Sequence, residues 1–116
     1  MTRIRLPYNN GLLSIEATSC GLTISGEIEK STRPVLAEVL EDFASDHTDL
    51  HLDLAALSYC DVTGLWAMVQ FAVPDGDGRS AKLVVLHAIP PYMKTMLRIL
   101  GWHDELPGLS VTDVPR

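Results

Sequence analysis

The stretch Asp61-Val62-Thr63-Gly64 places a carboxylate, a hydroxyl and a glycine within one short segment, with a helical apolar pattern starting at Leu65. Oxygens just ahead of a helix can satisfy the orphan N–H groups of its first turn. Thr63 is therefore expected as the N-cap, and its hydroxyl is also the candidate phosphoacceptor of the chain. Phosphate there adds about −1.5 to −2 charges beside Asp61. The helix dipole favours that charge, whereas repulsion from Asp61 and desolvation oppose docking of a partner. Asp61 reads either as a carboxylate stabilised at the helix terminus or as a ligand-contacting group, because α/β sheets place sites between strand ends and helix starts. Gly64 lets the loop turn sharply and lets another chain approach its backbone.

Other reactive side chains assemble less readily. Cys60 with His87, at the end of a neighbouring strand, is the pair a cysteine hydrolase would need. Cys60, however, follows Ser58-Tyr59 out of the sheet, where a small buried residue is expected, and buried thiols are inert. His47, Asp49, His51 and Asp53 alternate and read as a solvated face, with His47 and Asp49 in the loop before the strand; no metal site is expected. Gly76 and Gly78 follow a helix instead of opening one, so no phosphate-binding loop is present. The chain is expected to be no enzyme and to carry no cofactor.

The elements that position this loop follow from periodicity. Leu12, Leu13 and Ile15, then Leu22 and Ile24, flank the turn-like Ser19-Cys20-Gly21 and predict a hairpin whose second strand Gly26 closes. Ser31 or Thr32 caps a helix with Pro34 in its first turn; Val35, Leu36, Val39, Leu40 and Phe43 form its apolar face, and it ends near Ser45. Leu50-His51-Leu52-Asp53-Leu54 alternates as a strand with one apolar face. Leu65, Met68, Val69 and Ala72 predict a second helix, ended by Pro74 and the Asp75-Gly76-Asp77-Gly78 turn. Leu83-Val84-Val85-Leu86 reads as a strand covered on both faces. Pro90-Pro91 opens a helix carrying Met93, Met96, Leu97 and Leu100, with Gly101 as its C-terminal cap. Met93 to Leu100 is expected to be core. Leu109 to Val114 forms a last strand or tail.

Strand–helix–strand alternation makes the fold class α/β, with one mixed sheet of four to five strands, a parallel core and three to four helices. At 116 residues the chain is expected to be one domain, 1–116. Fifteen acids against nine bases, a formal charge of −6, argue against nucleic acid as a partner. No apolar run approaches the ~20 residues that span a bilayer, and the start lacks a signal-peptide pattern. No membrane insertion and a cytoplasmic location are therefore expected. Cys20 and Cys60 are read as reduced, buried thiols.

Two segments carry a more specific signal: Gly21-Leu22-Thr23-Ile24-Ser25-Gly26-Glu27-Ile28-Glu29, and the run from Leu52-Asp53-Leu54 through Asp61-Val62-Thr63-Gly64-Leu65. Together, over roughly residues 11–106, they resemble the STAS family of anti-sigma factor antagonists. Gly26-Glu27-Ile28-Glu29 is similar to the family's Gly-Glu-hydrophobic-Asp. Asp61-Val62-Thr63-Gly64-Leu65 is similar to its Asp-Ser-Ser/Thr-Gly-Leu. The resemblance implies a protein-binding regulator that docks on a kinase-like anti-sigma factor or related regulatory protein. Asp61, Val62, Thr63, Gly64 and Leu65, with Glu27 and Glu29, would form the partner-binding surface. Partner-switching members are phosphorylated on the serine that Val62 replaces, so the usual switch is lost here, leaving constitutive binding or control through Thr63. The alternative that the resemblance implies is an accessory or scaffold subunit of a transport or signalling assembly. A weak homodimer is compatible with either.

Overall fold

The computed structural model describes residues 4–19, 21–74 and 80–114. Cys20, the Asp75-Gly76-Asp77-Gly78 turn and the first three residues lie outside them. In chain order the elements are β1 (Tyr8–Asn9), β2 (Leu13–Ala17), β3 (Gly21–Ile28), α1 (Arg33–Asp46), β4 (Asp49–Asp53), β5 (Leu57–Cys60), α2 (Val62–Val69), a 3-10 turn (Gln70–Ala72), β6 (Leu83–His87), α3 (Pro91–Leu100), α4 (Trp102–Glu105) and β7 (Leu109–Thr112).

The sheet is mixed and runs β1-β2-β3-β4-β6-β7, with β5 also paired to β3. Its hairpin is antiparallel, Ile15 opposite Ile24, while β3–β4, β3–β5, β4–β6 and β6–β7 are all parallel. The sheet thus has seven strands where four to five were expected. The strands not expected are short: β1 has two residues and β5 four, too few for a period-two pattern to declare itself, whereas β7 falls within the stretch expected as a last strand or tail.

Register divides the sheet into two unlike faces. Leu13, Ile15, Leu22, Ile24, Leu50, Leu52, Val84, Leu86 and Leu109 point to one side and join the buried faces of α1, α2 and α3 in a single apolar cluster. Helix α1 contributes Leu36, Val39, Leu40 and Ala44, and α2 contributes Leu65, Met68 and Val69. Met93 and Leu97 of α3 are core as expected. The opposite face carries Thr23, His51, Asp53, Val85, His87 and Thr112, and Val85 stands outside the cluster. Strand β6 is therefore covered by helices on one side only; Val85 is shielded from water without a helix over it, and Leu83 is exposed.

Two backbone details correct the expected boundaries. Gly26 lies within β3 instead of closing it: its φ of +95° suits glycine, and a β-carbon there would come 2.0 Å from the Leu12 carbonyl oxygen. At that point β3 shifts register and exchanges β4 for β5 as its neighbour. Thr32 precedes α1, but its hydroxyl faces backward, accepting the Glu29 N–H at 3.0 Å and donating to the Glu27 carbonyl at 2.8 Å. Thr32 thus ties the end of β3 to the start of α1, and Pro34 occupies the first turn as expected.

Candidate functional site

Strands β4 and β5 run along the same edge of β3, joined by Leu54-Ala55-Ala56. Asp53 Oδ1 accepts the Ala55 N–H at 3.0 Å, the Leu54 N–H reaches the His87 carbonyl at 2.9 Å, and the Gly26 N–H bonds to the Ala56 carbonyl at 3.2 Å. Ser58 adds a hydroxyl bond to the Gly26 carbonyl at 2.9 Å. Ser58-Tyr59-Cys60 is consequently strand, and it delivers Asp61 to the carboxyl end of the sheet.

Asp61 caps α2. Its Oδ1 accepts the Gly64 N–H at 2.6 Å, its carbonyl accepts the Leu65 N–H at 2.9 Å, and its own N–H bonds to the Ile28 carbonyl at 3.1 Å. The cap expected at Thr63 is corrected accordingly: Asp61 has the extended backbone a capping residue needs, whereas Thr63 already lies inside the first turn. Thr63 is an exposed residue on the helix surface. Arg33, the first residue of α1, places Nε 3.5 Å from Asp61 Oδ2. This is a charge contact without a hydrogen bond, since Arg33 Nε is buried with no hydrogen-bond partner.

The remaining expected site residues divide by depth. Val62 is exposed beside the cap. Gly64 is buried, and a β-carbon on it would fall 2.4 Å from Ile28 Cγ2. Leu65 is fully buried in the core, so its expected place on the contact surface is corrected: it anchors α2 from beneath. Glu27 sits half-buried on β3 in register with Tyr59. Glu29 accepts hydrogen bonds from the Ser31 hydroxyl and, at 3.0 Å, the Ser31 N–H; the hydroxyl bond is the main cause that lowers its carboxyl below the ordinary value.

Around the loop lie aromatic groups that sequence reasoning passed over. Tyr59 is 48%, Val62 46%, Trp66 39% and Tyr92 38% exposed, unusually wet for such side chains. Trp66 lies one helical turn beyond Val62 and packs against Trp102 with ring centroids 5.1 Å apart. Tyr92, at the start of α3, lies against the Cys60 backbone and near Tyr59; burial chiefly raises its phenol. Trp66 and Thr63 also line a shallow groove between α1 and α2 with Arg33, Pro34, Ala37 and Gln70. Arg33 could have been suspected from sequence, because a cation in the first turn of a helix opposes the dipole and asks for a partner. Tyr59 gave no such signal, since β5 is too short to reveal which of its residues face outward.

Cys60 is buried and its thiol is free. Burial, and secondarily the negative charge of Asp61, push it up to about 12. At neutral pH it is a protonated thiol, the opposite of an activated nucleophile. His87 is directed elsewhere, with Nε2 2.9 Å from His51 Nδ1. His47 follows α1, its ring stacked on Phe43, and Asp49 begins β4 instead of preceding it. Among the described residues no three His, Cys, Asp or Glu side chains converge as a metal site, and no helix is long and apolar enough to cross a membrane.

Comparison with known proteins adds two findings. Residues 12–111 match the family model described as Mlab, STAS domain. Among solved structures, the crystal structure of an anti-sigma factor antagonist from Mycobacterium paratuberculosis is similar, with a TM-score of 0.63 and 21% identity over 84% of this chain and 83% of that chain. At that identity the likeness is one of fold. No curated protein matches the sequence.

Proposed function

From the premise that this chain belongs to the STAS domain family, we propose that it is a non-catalytic, protein-binding regulatory module acting in the cytoplasm, whose docking surface is the Asp61–Thr63 loop and the exposed start of α2. The observation that carries this reading is the wet apolar surface of Tyr59, Val62 and Trp66 around a loop held rigid by the Asp61 cap. A preorganised loop loses little freedom on docking, and aromatic side chains supply the contact area that dominates interface energetics. Glu27 and Glu29 flank the loop with negative charge, and Gly64 and Leu65 support it from below. The partner on this reading is an anti-sigma factor of the kinase-like kind or a related regulatory protein.

Val62 cannot be phosphorylated, so partner exchange through the usual serine is absent, and Thr63 is the hydroxyl left to carry a switch. That same substitution favours a second reading, an accessory or scaffold subunit that holds its partner constitutively. Affinity capture from host lysate with wild-type, Val62→Asp and Thr63→Glu baits separates the two. Loss of a kinase-like anti-sigma factor from both variant baits supports the first reading. Retention of a transport or scaffold protein by wild type, lost with Val62→Asp, supports the second. If all baits retain the same proteins, the loop is not the docking surface.

A further inference from the structure

We propose that His51 and His87 form a binding site for a divalent first-row transition metal of tetragonal preference, copper(II) or nickel(II), on the sheet face turned away from the helices. Strands β4 and β6 pair in parallel with His51 opposite Val85 and Asp53 opposite His87, so both imidazoles rise from one face. His51 Nδ1 and His87 Nε2 stand 2.9 Å apart, with ring centroids at 5.2 Å and planes tilted by 35°. The Val114 carbonyl lies 3.2 Å from His87 Nδ1. A carbonyl only accepts, so Nδ1 of His87 bears the proton and Nε2 presents a lone pair toward His51. In the metal-free protein His51 Nδ1 therefore donates to it.

Moving the His51 proton from Nδ1 to Nε2 leaves two lone pairs converging, with no net change in protons bound by the pair. A metal about 2.0–2.1 Å from both nitrogens would subtend roughly 90° across a 2.9 Å separation, whereas a tetrahedral ion needs about 3.3 Å. A right angle is the cis angle of tetragonal copper(II) and nickel(II). Each ring must swing outward by roughly 45° to leave the hydrogen-bond line, which these half-buried side chains on a helix-free face can do. The carbonyl of Val114 serves as the outer partner that metal-bound histidines characteristically have. Asp53, in register with His87, adds negative charge on the same face, with Oδ1 engaged by the Ala55 N–H. The protein supplies two donors, leaving the remaining positions to water. The proposal is independent of the docking surface, because none of its residues belongs to that surface.

The test titrates copper(II) chloride into the metal-free full chain, read by calorimetry and electron paramagnetic resonance. One saturable equivalent with a two-nitrogen superhyperfine pattern is expected, lost in His51→Gln and in His87→Gln and kept in His47→Gln. Absence of a saturable equivalent, or its survival in either of the first two variants, overturns the proposal. A second readout needs no variant: substoichiometric copper(II) should broaden the amide resonances of Val85 and Ser110 in the wild-type protein before those of α1 and α2. Broadening centred elsewhere also overturns it.

Discussion

At the scale of the residue, Asp61 and Cys60 are neighbours with opposite demands: one supplies a polar oxygen to a helix cap, the other must stay neutral in the core. Removing the Asp61 carboxylate leaves the Gly64 N–H without its acceptor at the start of α2. Asp61→Ala should therefore cost about 1 kcal/mol, seen as a lower urea midpoint with an unchanged slope, and Asp61→Asn should recover most of it. Cys60 behaves differently because its folded pKa is raised, from 9.0 to about 12. The unfolded chain gives up this proton first, so between those values the native state holds more protons and stability falls as pH rises. The slope contributed is at most about 1.4 kcal/mol per pH unit. Wild type should lose stability above pH 9 more steeply than Cys60→Ala, measured by denaturation across pH 7 to 11 in a Cys20→Ser background; parallel curves would refute the burial argument. Alkaline titrations remote from Cys60 are common to both proteins and cancel in the comparison; Tyr92, raised chiefly by burial, also feels the Cys60 charge, and a Tyr92→Phe background removes that contribution.

At the scale of the element, α2 is fixed by contacts on three sides: the Asp61 cap, the buried Leu65 and Met68, and the close approach of Gly64 to Ile28. Gly64→Ala places a β-carbon 2.4 Å from Ile28 Cγ2 and should cost about 1–3 kcal/mol by overpacking, detectable as a drop in thermal midpoint. Combined with Ile28→Ala, which deletes Cγ2, the change should cost less than the sum of the two single losses, because the contact that is overpacked is gone. The same elements explain what sequence could reveal. The three longer helices and the alternation of Leu50, Leu52 and Leu54 were legible because burial on one side imposes a period that many residues sample. Pro34, Pro91 and Gly101 marked helix ends through constraints that act locally. Strand β5 was not legible: its existence depends on Gly26 and Ala56, thirty positions apart in the chain, meeting at a register shift. The cap was misplaced for a similar reason, as Asp61 and Thr63 are both good capping residues and only the path of β5 decides between them.

At the scale of the whole molecule, one apolar cluster between the sheet and the helices holds the fold, and the proposed docking loop lies outside it. The core is one cluster, and Tyr59, Val62 and Trp66 lie at its rim around the loop, so stability and binding should be separable by mutation. Leu65→Ala removes a fully buried side chain from that cluster and should cost about 2–5 kcal/mol. Val62→Asp and Tyr59→Ala change exposed positions, where substitutions usually stay within about 0.5 kcal/mol, or about 2–4 °C in a domain of this size. If the loop docks a protein, those two variants should lose most of the captured partner while melting close to wild type. Leu65→Ala should melt far lower and lose capture only in proportion to the fraction unfolded. Running the three variants side by side, with thermal melts and quantified capture on the same preparations, distinguishes a docking surface from a structural one. Capture that tracks the melting temperature across all three would mean that the exposed aromatics serve the fold and that the partner binds elsewhere.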